Sequence, residues 1–155
     1  MTDKEVIKAL RALVNVESLA VQTYRAQTWR VRGQPAIAEK LNDAMAVERE
    51  HRDNLEARVR ELGGAAPSLR HAYSLIGWLV IGFIPALLGK LALLRVDIWT
   101  EEKAVKDYTA FLEKTPFDEE TRALVEKNRE DEREHIRYWQ ESIAELKGSA
   151  PAEPQ

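Results

Sequence analysis

Apolar residues recur along this chain at alternating steps of three and four, the spacing that gathers them on one face of an α-helix. Val6, Leu10, Leu13, Ala20 and Tyr24 form the first such stripe, which Gly33 and Pro35 interrupt. Ile37, Leu41, Ala44, Leu55 and Leu62 form the second, and Gly63-Gly64 stops it. A third runs through Leu91, Leu94, Ile98, Val105, Tyr108 and Leu112 to a break at Thr115-Pro116. The fourth holds Val125, Asn128, Trp139, Ser142 and Leu146 and closes at Lys147-Gly148. The pattern predicts an all-α chain of four long helices. Residues 1–147 are expected to form one domain, and the small, polar, Pro-rich tail 148–155 to be disordered.

The connections predict how the helices are arranged. Short links join the first helix to the second and the third to the fourth, so each pair is an antiparallel hairpin. A long crossover over residues 65–90 joins the hairpins. Two hairpins linked by one long crossover is the ferritin-like form of the four-helix bundle. The crossover is very apolar: Leu75 to Leu94 is a run of 20 residues with one charge, Lys90, long enough to suggest a membrane span. A span would leave the two hairpins on opposite sides of the bilayer, and Gly77, Gly82, Pro85 and Gly89 interrupt a straight helix. The expected form is an in-plane element at a membrane surface, with Trp78, Arg70, Lys90 and Arg95 near the headgroups. Burial against the bundle or a second copy is the plainer alternative.

Six polar residues interrupt the apolar stripes: Glu17, Glu48, His51, Glu101, Glu132 and His135. The chain repeats itself through them. EREH stands at 48–51 and again at 132–135, an offset of 84 that also carries Glu17 to Glu101, Tyr24 to Tyr108 and Leu62 to Leu146. A buried, unpaired carboxylate costs several kcal/mol, so four of them on inward faces need a partner. Two divalent cations would neutralise the four charges, and residues three apart on a helix can grip one ion together. One Glu from each of two helices plus Glu-x-x-His from each of the other two is the pattern of di-iron and di-manganese carboxylate bundles. A single EREH is weak, because a solvated Glu–His pair has the same spelling; two matched halves are much more specific.

Geometry sorts the neighbours. Glu50 and Glu134 point about 100° away from their histidines and are expected in solvent. Glu101 fits the third stripe and the repeat, with Glu102 as the fallback. Tyr24 and Tyr108 lie two turns beyond Glu17 and Glu101 on the same face. They are either core aromatics or hydroxyls that donate to a ligand carboxylate and supply a proton or electron near bound oxygen. Asn128 either orients a ligand or is a satisfied core amide. His71 has no Glu at ligand spacing and is expected at the surface.

Composition narrows the chemistry further. There are no cysteines, which excludes disulfides, iron–sulfur clusters, thiolate zinc sites and thiol catalysis. With 23 basic and 26 acidic residues the net charge is −3, without the basic excess of a nucleic-acid-binding protein. The opening MTDKEVIKAL lacks the basic-then-apolar succession of a secretory signal and predicts a protein kept inside the cell.

With these pieces in place the chain resembles the demethoxyubiquinone hydroxylase family. The matching segments are Glu17 with Tyr24 and Gln27, the EREH of the second helix, Pro85-Ala-Leu-Leu-Gly-Lys90, TEEKAVKDY at 100–108 and DEREH at 131–135. Together they cover about residues 13 to 146. The resemblance implies a monooxygenase that uses two iron ions and O2 to hydroxylate the ring of a polyprenylated quinol precursor at a membrane surface. It implies reduction derived from NADH, metal ligands at Glu17, Glu48, His51, Glu101, Glu132 and His135, and Tyr108 beside them. It also implies a lipid-binding accessory partner for some members; a homodimer is the other partner expected. Asp107 stands where members commonly carry a His before the helix-three Tyr, and Val14-Asn15-Val16 replaces a common His-Ala-Gly. The expected location is the cytoplasmic face of a bacterial inner membrane, with no nucleic-acid partner. Two other readings compete: a rubrerythrin-like peroxide reductase, and a non-catalytic iron- or quinone-binding protein.

Overall fold

A computed structural model describes residues 3–68 and 70–148. Residues 149–155, nearly all of the tail expected to be disordered, lie outside the described residues. Four long helices form the body: α1 (Asp3–Arg30), α2 (Pro35–Glu61), α5 (Lys90–Lys114) and α6 (Glu119–Gly148). Between them the crossover contains α3 (Arg70–Ile76), a π-helical segment (Gly77–Phe83) and α4 (Ile84–Leu87). No strand occurs among the described residues, and the architecture is the ferritin-like bundle of two hairpins.

The helix ends follow from local chemistry. Pro35 begins α2, where its fixed φ suits the first turn and its missing N–H costs nothing. Gly63 ends α2 at φ +78°, donating to Arg60 O while Gly64 donates to Val59 O, the paired closure that a left-handed residue makes possible. Asp118 caps α6: its Oδ1 accepts from Thr121 N at 2.9 Å and its Oδ2 from Thr121 Oγ1 at 2.8 Å. Arg58 of α2 donates to the same carboxylate at 2.9 Å, tying the α5–α6 turn to the first hairpin.

Two apolar clusters fill the bundle. One gathers Leu10, Leu13, Leu55, Val59, Leu112 and Val125, the other Val21, Leu41, Leu93, Leu94 and Trp139. The six predicted polar residues occupy the layer between them. The inner face of α5 is rotated from the predicted stripe: Leu93, Leu94, Asp97, Glu101, Ala104 and Tyr108 are buried, whereas Leu91, Ile98 and Val105 are half-buried. A polar Asp97 in the row concealed that register.

The crossover lies along α1. A Cβ at Gly77 would sit 2.2 Å from Leu19 O, and one at Gly82 2.6 Å from Thr23 O, so only glycine permits this approach. In an α-helix residues five apart diverge by about 140°. The wider π turn, closed by Ile84 N–H to Leu79 O, brings both glycines against α1. The outer side of the crossover is left bare. Leu75, Ile76, Leu79, Val80, Ile84, Leu87 and Leu88 are all exposed, Leu88 by 75%. Among the described residues no helix is long and apolar enough to cross a membrane. The apolar run is divided at Leu88-Gly89, where Gly89 takes φ +104° and α5 begins anew.

Candidate metal centre

Each ligand-bearing helix contributes from its middle, where the backbone is most constrained. Glu48, His51 and Glu132 are fully buried, Glu17 and Glu101 are 1% exposed, and the His135 side chain is 12% exposed. The residues fall into two overlapping groups. Glu17, Glu48, His51 and Glu132 offer one ligand atom each, all within 4.8 Å of one another, and so do Glu48, Glu101, Glu132 and His135. Glu48 and Glu132 belong to both. Each group can hold a metal ion, with those two carboxylates shared.

Both histidines present Nδ1 to the interior. His51 Nδ1 lies 3.2 Å from Glu132 Oε1, 3.7 Å from Glu48 and 3.9 Å from Glu17. His135 Nδ1 lies 3.0 Å from Glu48 Oε1, 3.4 Å from Glu132 and 3.9 Å from Glu101. Several of these atoms meet only in such ion-pair contacts and make no hydrogen bond of good geometry: both oxygens of Glu48, Glu132 Oε2 and His135 Nδ1. Buried polar atoms are nearly always paired, so converging orphans of this kind mark a place for a cation. The donor set is oxygen and imidazole alone, which suits iron or manganese.

Electrostatics agree. Burial, reinforced by Glu132 and Glu48, pushes the Glu17 and Glu101 carboxyls well above the usual carboxylate range. Burial opposes a charge on the imidazoles, but Glu132 and Glu48 overcome it and raise His51 to about 11 and His135 to about 12. Glu48 is held well below the usual range, against its burial, by the two imidazoles. Protons therefore do the neutralising where no cation is bound. A metal ion would displace them.

Around this core stand groups that touch the ligands without belonging to either set. Tyr24 Oη donates to Glu101 and Tyr108 Oη donates to Glu17, each across the hairpins. Trp139 Nε1 donates to Tyr24 Oη at 3.0 Å, and Asn128 Nδ2 to Tyr108 Oη at 3.1 Å. The outer nitrogen of His51, Nε2, lies 2.9 Å from Asp131, whose carboxylate accepts from Lys127 at 2.6 Å. One turn before Glu101, the fully buried Asp97 accepts from Gln27 Nε2 at 2.6 Å and leaves its other oxygen unpaired. Burial lifts its carboxyl to about 8. A groove of about 370 Å³ runs beside α1 and α5, from Val16 and Thr100, the neighbours of two ligands, to Tyr73 and Ile81 of the crossover.

The family model of ubiquinone biosynthesis protein COQ7 matches residues 4–151. The chain belongs to the COQ7 family. No curated protein matches it.

In this COQ7-family chain the structure brings all six predicted ligand residues together. It separates them from Glu50, Glu134 and Glu102, which are exposed as expected, and from His71 at the surface. Both tyrosines face ligand carboxylates, which decides against their being core aromatics alone, and Asn128 orients Tyr108 rather than a ligand directly. Asp107, the departure from the common His, is paired with Lys103 at 2.6 Å and lines the groove. Asp97 and Asp131 were not foreseen as site residues. Asp131 had one signal, its place directly before Glu132; Asp97 had none, since neither the repeat nor the apolar pattern singles it out.

Proposed function

We propose that this COQ7-family chain is an O2-dependent di-iron monooxygenase that hydroxylates the ring of a polyprenylated quinol precursor at a membrane surface. The observation that carries this reading is the buried pair of carboxylate–imidazole groups beside a groove leading to an uncovered apolar crossover. Glu17 with His51 and Glu101 with His135 would each hold one iron, and Glu48 and Glu132 would be shared. When bound and reduced, from NADH-derived electrons, the iron pair supplies the activation of O2 for the hydroxylation.

The chain's own residues supply the rest. The groove, walled by Val16, Leu19, Ile81, Trp99 and Phe111, offers an apolar bed for a quinol ring on the side of α1 and α5 where Val16 and Thr100 adjoin Glu17 and Glu101 in the chain. Tyr108 and Tyr24 hold protons at Oη against Glu17 and Glu101, and burial keeps both phenols protonated well above the ordinary tyrosine range. They fix the carboxylates in place and keep a proton at each. A lipid-soluble substrate is held in the bilayer, so the exposed ridge from Leu75 to Leu88 serves as the contact through which it arrives. The cytoplasmic face of a bacterial inner membrane is the location that fits.

Mass spectrometry of the quinone pool tests the assignment. Cells lacking the protein should accumulate a precursor short of one ring hydroxyl. Wild-type protein should clear it, and Glu132→Ala should not. An unchanged pool would reject quinol hydroxylation and leave the metal centre to another reaction, with peroxide reduction first to be assayed.

A further inference from the structure

The charges of this chain are sharply divided. Residues 18–38 and 62–96 hold six of its basic residues (Arg25, Arg30, Arg32, Arg70, Lys90 and Arg95) and no Asp or Glu. The remaining residues carry 17 basic against 26 acidic side chains, a net −9. These two acid-free segments are the second half of α1 with its turn into α2, and the crossover with the start of α5. They are the parts that surround the exposed apolar ridge. Among the described residues, no acidic group pairs with Arg25, Arg30, Arg32, Lys90 or Arg95.

The rim has a repeated design. Arg25 and Trp29 on α1 stand four residues apart, as do Arg95 and Trp99 on α5, so each pair shares a helix face. Both tryptophans are about half exposed, Trp29 by 52% and Trp99 by 55%. Trp29 packs against Phe83 of the crossover, and Trp99 lines the groove with Tyr73 and Ile81. At the α1–α2 turn a hollow of about 550 Å³ brings Arg30 and Arg32 together over Trp29, Phe83 and Leu87. The Arg32 guanidinium lies 5.5 Å from the Trp29 ring centroid.

Resting on the membrane reading above, we infer that the ridge docks on a bilayer of anionic phospholipid, with Arg30 and Arg32 taking a headgroup phosphate at the α1–α2 turn. Apolar ridge, tryptophans and unpaired arginines adjoin one another, the combination that acyl chains, interface and phosphate call for. Arginine is the side chain that matches phosphate oxygens in two-pronged fashion. A second copy fits poorly, because a two-fold pairing of ridges would set one cationic rim against another. The net −9 of the other regions would be repelled by the same surface, which fixes the orientation: ridge inward, remainder outward.

Vesicle flotation of the metal-loaded full chain tests this, with phosphatidylcholine alone compared with phosphatidylcholine containing about 30 mol% phosphatidylglycerol. The expected result is strong binding to the anionic vesicles only, weakened by about 0.5 M salt. Arg30→Gln/Arg32→Gln should bind them about 25-fold more weakly, about fivefold per charge, while Lys4→Gln/Lys8→Gln at the far end of α1 should bind as wild type. Equal binding to both vesicles, or an unchanged Arg30/Arg32 variant, overturns the lipid class and leaves membrane docking standing. Tight capture of soluble glycerol 3-phosphate without vesicle preference also overturns it. Binding to neither vesicle removes the membrane reading itself; a dimer broken by Leu79→Glu would then assign the ridge to a second copy.

Discussion

The two hairpins present the same ligands and differ in what stands behind them. An offset of 84 superposes Glu17 on Glu101, Tyr24 on Tyr108, Glu48 on Glu132 and His51 on His135, but it sets Leu13 against Asp97, Val47 against Asp131, Ala44 against Asn128 and Leu55 against Trp139. Besides the two tyrosines, the symmetric residues are those that a pair of cations requires: four carboxylates and two imidazoles. Nothing in charge neutralisation demands that the surroundings match. His51 has a carboxylate on its outer nitrogen, whereas the equivalent position for His135 is the apolar Val47. Glu101 has the buried Asp97 one turn away, whereas Glu17 has Leu13. The two candidate metal positions therefore differ in their supporting residues.

The largest effect should come from breaking what the halves share. Glu132→Ala removes a ligand from both groups and should reduce bound iron from two per chain to almost none. Glu17→Ala removes a ligand from one group and should leave about one iron per chain, by elemental analysis after anaerobic loading. Equal loss in the two variants would mean that the ions bind only as a pair.

A second contrast comes from Asp97, which has no counterpart in the first half. Its carboxyl titrates near 8 when folded against an ordinary value of 3.8. Between those values the unfolded chain has released the proton and the folded chain still holds it, so stability falls as pH rises from about 4 to about 8. The full cost is on the order of 5 kcal/mol above that window. Asp97→Asn keeps the shape and the partner of Gln27 while removing this contribution. Denaturant unfolding of the metal-free protein at pH 5 and pH 8 should show the variant gaining on wild type at the higher pH. A constant difference would mean that Asp97 is charged in the folded protein, with a partner for its second oxygen.

Most of the ligand layer was legible because it obeys helix arithmetic. Glu17, Glu48, His51, Glu101, Glu132 and His135 lie on inward faces, and a carboxylate there has few explanations. The hairpin pairing followed from short turns at Gly33-Pro35 and Thr115-Pro116. What escaped notice depends on contacts between helices. Asp97 faces Gln27 across 70 positions of sequence, and Asp131 faces His51 across 80. Pattern within one helix carries no record of either. Which crossover residues face outward, Leu79 and Leu88 among them, likewise could not be read from their type, since it depends on how the crossover lies on α1. The π-helical turn was invisible for the same reason: it exists because Gly77 and Gly82 must both meet α1.

The smallest effect, and the most specific test of inequality, belongs to Asp131. Its carboxylate lies 2.9 Å from Nε2 of His51, holding the ring so that Nδ1 faces the cluster, and its other tie is to Lys127 at the surface. Groups in this position orient a metal-binding imidazole and raise its basicity, and their loss typically costs about 10–100-fold in affinity. Asp131→Ala should therefore weaken the ion held with His51 by about that factor and leave the ion held with His135 unchanged, in a metal titration that follows the two steps separately. Val47→Asp, placed at the matching point of the first hairpin, should not restore the weakened ion, because it faces the other half of the repeat. If both ions weaken together in Asp131→Ala, the shared carboxylates couple the two positions so strongly that the difference behind them is not felt separately.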